Sequence, residues 1–264
     1  MKVLGLQTDI AWENRAENFV RVRQWLSKRP PGKGSLVVLP EMFATGFTMN
    51  TAAQADVAEG ETEKFLASIA REYSIGLVAG AAMRGRDGKV RNKALVFSAE
   101  GGLLAYYAKM RPFTLGGELE HYTPGDRTVM FNFDGASVAP FVCYDLRFPE
   151  IFREAAAVHR PEVFVVIANW PVKRIHHWTR LLQARAIENQ AYVVGVNRVG
   201  SDPGYVYNGQ SMVADFHGEI LASAGDVEGW MAADLDLSAL REYRQAVPFL
   251  HDLPRRAAAP ASAL

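Results

Sequence analysis

The only cysteine of this 264-residue chain, Cys143, is the side chain best suited to act as a nucleophile. An apolar run, residues 138–142, precedes it, and Pro149 follows at a position typical of the first turn of a helix. This pattern predicts a sharp turn between a strand and a helix, which presents the side chain beside backbone N–H groups. Because a single thiol forms neither an internal disulfide nor a cysteine-based metal cluster, Cys143 is either an inert buried thiol or a reactive one.

Two charged residues, Glu41 and Lys109, directly follow other predicted strands or the turns that end them, after residues 36–39 and 103–108. Sites in open α/β folds form beyond the carboxyl ends of strands, so these residues can converge with Cys143 on one pocket.

The three side chains have complementary chemistry. A free thiol has a pKa of about 8.5, so Glu41 could act as its general base. Lys109 and the N–H of Tyr144 could stabilise an oxyanion. A carboxylate, an ammonium and a thiol suffice for acyl transfer through a thioester, and we expect no cofactor. The structural alternatives are a buried thiol, a loop carboxylate and a solvated lysine.

The elements that must position these residues are short apolar runs, rich in Val and Leu, that alternate with helical patterns. Strands are predicted at residues 3–6, 36–39, 75–79, 137–142, 163–168, 191–197 and 231–236, hairpins at 93–108 and 211–222, and helices at 16–25, 62–73, 150–158 and 177–190. Fully apolar strands predict an α/β fold whose sheet is covered by helices, and the hairpins predict a mixed sheet. Because no Pro/Gly/Ser linker divides the chain, we expect one domain over residues 1–254 and a disordered tail over 255–264.

Composition narrows the class of protein. The chain is 49% hydrophobic and carries 29 basic and 29 acidic residues, so neither disorder nor a nucleic-acid or anionic-membrane surface is expected. Residues 1–9 are too short and too polar for a signal peptide, and no apolar run approaches the roughly 20 residues of a membrane span. A single cysteine suits a reducing compartment, so a cytoplasmic protein with a small-molecule substrate is the expectation.

The adjacent histidines, His176 and His177, raise the alternative of a metal site. Neighbouring residues on a helix point in different directions, and no acidic ligand pattern accompanies this pair. We therefore expect no metal. The glycine spacing of a phosphate-binding loop is also missing from the sequence.

The segments around these candidate residues resemble the nitrilase, or carbon–nitrogen hydrolase, superfamily. The matching segments are residues 39–43 (LPEMF), 107–109 (YAK), 143–150 (CYDLRFPE), 182–190 (LQARAIENQ) and 208–215 (NGQSMVAD). The resemblance covers about residues 1–240 and implies a four-layer αββα sandwich. It also implies a catalytic triad, with Glu41 as base and acid, Lys109 as oxyanion stabiliser and Cys143 as nucleophile.

The superfamily often has a second glutamate between the lysine and the cysteine, which would orient the lysine and the substrate amide. Glu118 is the better-placed candidate here, and Glu120 is its rival. The chain departs from the family at residues 109–114 (KMRPFT), where a His-Leu-Phe-like run commonly follows the lysine. This departure affects the wall of the pocket rather than the chemistry.

Residues 143–149 and 168–178 (ANWPVKRIHHW) resemble the omega-amidase branch in particular. That branch hydrolyses the terminal amide of short 2-oxo dicarboxylic acid monoamides, such as 2-oxoglutaramate and 2-oxosuccinamate, to the 2-oxo diacid and ammonia. Another small amide, a carbamoyl amine, deaminated glutathione or a nitrile is the alternative substrate. A non-catalytic assembly protein with the same fold is the alternative from a different class, against which the intact triad argues. The resemblance further implies a homodimer or a higher homo-oligomer.

The free carboxylate of such a substrate requires a cation, for which Arg147, Lys173 and Arg174 are the candidates. Phe43 and Trp170 are expected to form apolar walls of the pocket. Solvated loop charges remain the alternative for Lys173 and Arg174, and Arg147 could equally be a structural ion-pair partner.

Overall fold

The computed structural model describes residues 1–253, in which two β-sheets lie face to face between layers of helices. The strands, numbered along the chain, are β1 (Lys2–Gln7), β2 (Leu36–Val38), β3 (Asp56–Val57), β4 (Gly76–Arg84), β5 (Val90–Phe97), β6 (Leu103–Ala108), β7 (Phe131–Phe133), β8 (Ala136–Val142), β9 (Val163–Ala168), β10 (Tyr192–Asn197), β11 (Val199–Ser201), β12 (Val206–Asn208), β13 (Met212–Ala214), β14 (Ile220–Ser223) and β15 (Gly229–Asp234). The helices are α1 (Arg15–Lys28), α2 (Thr51–Gln54), α3 (Glu61–Tyr73), α4 (Glu118–His121), α5 (Pro149–Val158), α6 (Ile175–Asn189) and α7 (Leu237–Ala246).

Both large sheets are mixed, with parallel strands at the centre and antiparallel strands toward the edges. The first has the order β15-β1-β2-β4-β5-β6, with β3 paired to β4, and the second has the order β14-β13-β10-β9-β8-β7. Strands β1, β2 and β4 run parallel, as do β8, β9 and β10. The predicted hairpin of β5 and β6 is antiparallel, as is that of β13 and β14.

Alternating apolar side chains bury both faces of each central strand. In β2, Leu36 and Val38 belong to the apolar core shared with the second sheet, whereas Val37 packs with the core under α1 and α3. On the far side of the second sheet, Phe152 of α5 and Leu182 of α6 are fully buried. The result is the expected four-layer αββα sandwich.

The strands that matter for chemistry end at one region of this sandwich. Glu41 follows β2 after two residues, Lys109 follows β6 directly, and Cys143 follows β8 directly. Asn169 occupies the same position after β9, the parallel neighbour of β8. The loops after these strands therefore supply most of the candidate site.

Most of the predicted elements occur in the structure, which also contains several strands that the sequence analysis did not predict. Strand β9 has the predicted bounds, whereas β7, β11 and β12 are each only three residues long, too short for a periodic pattern. Asp236, predicted to end a strand, instead caps α7 and accepts hydrogen bonds from the N–H groups of Ser238 and Ala239.

The predicted domain of residues 1–254 stays a prediction, and the predicted tail of 255–264 lies outside the described residues. Among residues 1–253, none of the helices combines the length and the apolar character needed to cross a membrane.

Candidate active site

Cys143 lies on a strained turn between β8 and α5. The chain leaves β8 at Val142 and enters a 3₁₀ turn, Cys143–Arg147, with Cys143 itself at φ +47°. A non-glycine residue in this left-handed region is uncommon and persists where surrounding contacts hold it. The residue is 8% exposed, and its Sγ lies 3.8 Å from the carbonyl oxygen of Asn169. The backbone N–H of Tyr144 belongs to the first turn of this 3₁₀ helix, so it has no hydrogen-bond acceptor within the helix.

Lys109 is buried between two carboxylates. Its Nζ lies 3.0 Å from Oε1 of Glu41 and 2.8 Å from Oε2 of Glu118, and all three side chains are almost fully excluded from solvent. Burial alone would lower the pKa of Lys109, but Glu118 and Glu41 raise it well above its usual value. Lys109 is therefore a permanent cation at neutral pH, and not a base.

Two asparagines that the sequence analysis did not single out hold the carboxylates in place. Nδ2 of Asn92 donates to Oε1 of Glu41 at 2.7 Å and to Oε1 of Glu118 at 2.9 Å. The backbone N–H of Asn169 donates to Oε2 of Glu41 at 2.7 Å, and its Nδ2 donates to the Glu41 carbonyl. Two signals were available: Asn92 directly precedes the predicted hairpin strand that begins at residue 93, and Asn169 follows a strand end as Cys143 does.

The thiol of Cys143 rests in its protonated form. Burial, followed by the negative charge of Glu41, raises the pKa of Cys143 well above its usual value, while Lys109 opposes this shift. A neutral thiol beside a fixed carboxylate is the arrangement that general-base activation of a nucleophile requires.

A cavity opens onto Cys143, and its empty space, counted together with the open solvent at its mouth, is about 350 Å³. Its lining combines aromatic rings with two guanidinium groups and is formed by Phe47, Phe113, Cys143, Tyr144, Arg147, Asn169, Trp170, Pro171, Arg174 and Tyr205. The ring centroid of Phe47 also lies 5.3 Å from Nζ of Lys109, so this wall of the cavity contacts the lysine.

The guanidinium groups of the cavity, Arg147 and Arg174, form no salt bridge within residues 1–253. Arg147 packs 4.6 Å from the ring of Trp170 and shares a hydrogen bond of 3.2 Å with Nδ1 of His177. Burial and the charge of Arg174 lower the pKa of Arg147. Two like charges without a carboxylate partner make this cavity attractive to an anion.

Phe43 and Lys173 lie elsewhere than the sequence analysis expected. Phe43 packs beside Phe19 and Phe65, which stack on each other, in the apolar core under α1 and α3. Its place in the cavity wall is taken by Phe47 and Phe113, which come from loops.

Lys173 is exposed and faces an outer depression beside residues 202–206. Lys173 and Arg174 share a 3₁₀ turn in which successive side chains point about 120° apart. Both border the outer depression, but of the two only Arg174 also reaches the Cys143 cavity.

The two candidate glutamates of α4 have different environments. Glu118 is fully buried against Lys109 and Asn92, whereas Glu120 is exposed. Residues two apart on a helix do not share a face, so only one of them can approach the lysine.

The two histidines of α6 are both exposed. In the described part of the chain, residues 1–253, the His, Cys, Asp and Glu side chains form no group of three or more that could hold a metal ion.

Comparison with known proteins relates this chain to enzymes that cleave carbon–nitrogen bonds. The carbon–nitrogen hydrolase family matches residues 4–245. The omega-amidase YafV of Escherichia coli K12 is 36% identical over 257 residues, which cover 96% of each chain. The 2-oxoglutaramate amidase of Bacillus subtilis is 32% identical over 249 residues, covering 94% of this chain and 95% of the relative.

A solved structure has the same fold over nearly the whole length. The protein XC1258 of Xanthomonas campestris is described as a CN-hydrolase superfamily protein with an arsenic adduct in its active site. Its TM-score against this chain is 0.91 at 30% sequence identity, and the superposition covers 98% of this chain and 99% of that one. The sandwich therefore agrees with the fold of that protein.

Proposed function

The chain belongs to the carbon–nitrogen hydrolase family and is an amidohydrolase of the omega-amidase branch, and on that basis we propose that Cys143 cleaves the terminal amide of short 2-oxo dicarboxylic acid monoamides. The substrates are 2-oxoglutaramate and 2-oxosuccinamate, and the products are the 2-oxo diacid and ammonia. One observation carries the substrate class: Arg147 and Arg174 line the same cavity as Cys143 without a carboxylate partner in residues 1–253. A monoamide has one carboxylate to offer them.

In the first step, Glu41 takes the proton of the Cys143 thiol while the sulfur attacks the amide carbon. The carbonyl oxygen becomes an oxyanion, which the Lys109 ammonium and the N–H of Tyr144 stabilise. The carbon–nitrogen bond then breaks as Glu41 delivers the proton to the departing nitrogen. Ammonia leaves, and the acyl group remains on sulfur as a thioester.

In the second step, Glu41 removes a proton from water, and the resulting hydroxide attacks the thioester carbon. The carbon–sulfur bond breaks, and the proton returns to the thiolate. The network around Glu41 supports both steps, because Asn92 and Asn169 fix the carboxylate without neutralising it. Lys109 remains charged throughout, since two carboxylates surround it.

The lining of the cavity favours a short substrate over a peptide-like one. The rings of Phe113, Trp170 and Tyr205 form part of the cavity wall and narrow the space beside Cys143. Deaminated glutathione is larger than a five-carbon monoamide and has more polar groups to satisfy.

A panel of amides with ammonia detection tests the proposal. We expect kcat/KM for 2-oxoglutaramate and 2-oxosuccinamate to exceed that for deaminated glutathione, a simple nitrile and a carbamoyl amine by about 100-fold or more. Only the short monoamides can place the amide at Cys143 and the carboxylate at the two arginines together. Faster turnover of one of the other compounds would overturn the substrate assignment.

The Cys143→Ala variant tests the mechanism separately. We expect this variant to keep the fold and to lose ammonia release, because Cys143 is the only thiol of the chain. Ammonia release at the wild-type rate would refute the thioester, whichever substrate is used.

We also propose that the protein works as a homodimer or higher homo-oligomer in the cytoplasm. Val158 of α5 and Ile187 of α6 are exposed apolar side chains, and a second copy that covered them would remove apolar surface from water. The single free cysteine suits a reducing compartment. Light scattering after size-exclusion chromatography distinguishes a dimer from a monomer.

A further inference from the structure

A buried carboxylate outside the Glu–Lys–Cys triad, that of Asp145, lies two residues after the nucleophile. It is fully excluded from solvent. Its Oδ2 accepts hydrogen bonds from the Tyr107 hydroxyl at 2.8 Å and from the Val142 N–H at 3.0 Å. Its Oδ1 accepts one from the Arg111 N–H at 2.9 Å. The chemical steps proposed above make no use of this carboxylate.

The three donors belong to the two segments that must be held together for catalysis. Tyr107 and Arg111 lie two residues before and two residues after Lys109, and Val142 directly precedes Cys143. One carboxylate therefore bridges the lysine segment and the nucleophile turn. The Tyr107 hydroxyl extends this bridge, because it also accepts the N–H of Met110 at 3.3 Å.

Both segments need such a bridge. Cys143 keeps a left-handed conformation that surrounding contacts must hold. Strand β6 is the edge of its sheet, and it ends at Ala108, one residue before Lys109. Beyond that point, the backbone of Lys109 forms two hydrogen bonds, from its N–H to the Asn92 carbonyl and from the Gly125 N–H to its own carbonyl, and neither reaches the turn of Cys143. The bonds to Asp145 are thus what ties residues 109–111 to the turn of Cys143.

We propose that Asp145 is a positioning residue of the amidase reaction, whose ionised carboxylate sets the separation of the Lys109 ammonium and the Cys143 sulfur. This inference rests on the proposed thioester mechanism. Asp145 touches neither the substrate nor the reacting atoms, and it acts through Val142 on one side and through Tyr107 and Arg111 on the other.

The charge of Asp145 is sensitive to pH near neutrality. Burial raises the pKa of Asp145 to about 7, against the opposing effects of Lys109, the Tyr107 hydroxyl and the N–H groups of Val142 and Arg111. The pKa of Tyr107 is itself raised well above its usual value by burial and by Asp145, so Tyr107 remains a donor. All three partners of Asp145 are donors, so a protonated carboxyl would place its own O–H against one of them. The hydrogen bonds between the two segments are therefore complete only when Asp145 is ionised.

The Asp145→Asn variant of the full chain tests the proposal, because an amide keeps the shape but replaces one acceptor by a donor. We expect kcat on 2-oxoglutaramate to fall about 100-fold, which is the usual cost when reacting groups are misplaced by about 1 Å. KM should stay within about threefold of the wild-type value. The rise of kcat with pH through about 7 should disappear in this variant. The control is Asp226→Asn, an exposed residue, which should match the wild type.

A second variant, Tyr107→Phe, keeps the charge and removes one hydrogen bond to Asp145. Because that bond lowers the pKa of Asp145, its loss should move the rise of kcat to higher pH and reduce kcat by about tenfold, the cost of one hydrogen bond to a charged group. This variant decides the question if Asp145→Asn does not fold.

The outcomes separate this inference from the proposed function. An inactive Cys143→Ala together with wild-type kcat and pH profile in Asp145→Asn or Tyr107→Phe would overturn the role of Asp145 alone. An active Cys143→Ala would overturn the thioester mechanism first. A loss in Asp145→Asn that appears only in KM would also contradict a positioning role.

Discussion

The backbone N–H of Asn169 donates a hydrogen bond of 2.7 Å to Oε2 of Glu41, although 128 residues separate the two along the chain. Glu41 follows β2 in the first sheet, and Asn169 follows β9 in the second. The orientation of the proposed base therefore depends on how the two sheets pack, and not only on its own loop. Substitutions far from the thiol can change activity through this contact.

The first prediction concerns the two glutamates of α4. The Glu118→Gln variant should keep the fold and lose about 100-fold in kcat, because Lys109 loses one of its two carboxylate partners and with it a fixed orientation. The matched control is Glu120→Gln, which changes an exposed side chain and should leave kcat unchanged. Steady-state ammonia release measures both, and equal losses would contradict the assignment of Glu118.

The second prediction concerns the ionisation of the thiol. The negative charge of Glu41 raises the pKa of Cys143, and Lys109 lowers it. Glu41→Gln removes the first effect and keeps the second, so the thiol of this variant should ionise at lower pH than that of the wild type, even though amide hydrolysis is lost.

The ultraviolet absorbance of the thiolate reports this titration for Cys143 alone, since the chain has one cysteine. Cys143→Ala supplies the baseline. A titration midpoint that moves upward in Glu41→Gln would show that the carboxylate does not face the thiol.

The third prediction concerns the strand beside the base. A Cβ at Gly80 would lie 2.4 Å from Cα of Glu41 and 2.5 Å from the N of Met42, which is closer than real Cβ atoms approach. Gly80→Ala should therefore displace the Glu41 backbone and reduce kcat by about 100-fold or more. Gly229→Ala has open space and an ordinary φ, so it serves as the matched control. Wild-type kcat in a folded Gly80→Ala variant would show that the base tolerates displacement.

The fourth prediction concerns the neighbouring cations of the turn after β9. Arg174→Gln should raise KM for 2-oxoglutaramate about tenfold, because a charge-assisted hydrogen bond to the substrate carboxylate is lost. Lys173→Gln should change KM by less than about twofold, since this exposed side chain faces the outer depression. Reversal of this order would assign the carboxylate contact to Lys173.

Local patterns in the sequence were sufficient for the type and order of most elements. Valine-rich runs identify β8, β9 and β10, because their side chains are buried on both faces, and the helical spacing of α3 and α5 is clear. Once these strands are located, the residues directly after them, including Cys143, can be recognised as candidate site residues, because sites form beyond the carboxyl ends of strands. Three-residue strands such as β11 could not, since they contain less than a full period of any pattern.

Which candidates meet was decided by the tertiary structure. Glu118 rather than Glu120 reaches Lys109, Arg174 rather than Lys173 faces Cys143, and Phe47 replaces Phe43 in the cavity wall. Each pair is close in sequence, and the outcome depends on the direction of a side chain after a short turn. The bridge of Asp145 and the hydrogen bonds of Asn92 join separate elements, so no local pattern contains them. The sequence by itself determined the chemical groups and the elements that present them, because propensity and periodicity are local. Their mutual geometry required the packed sandwich, because it depends on contacts between segments far apart along the chain.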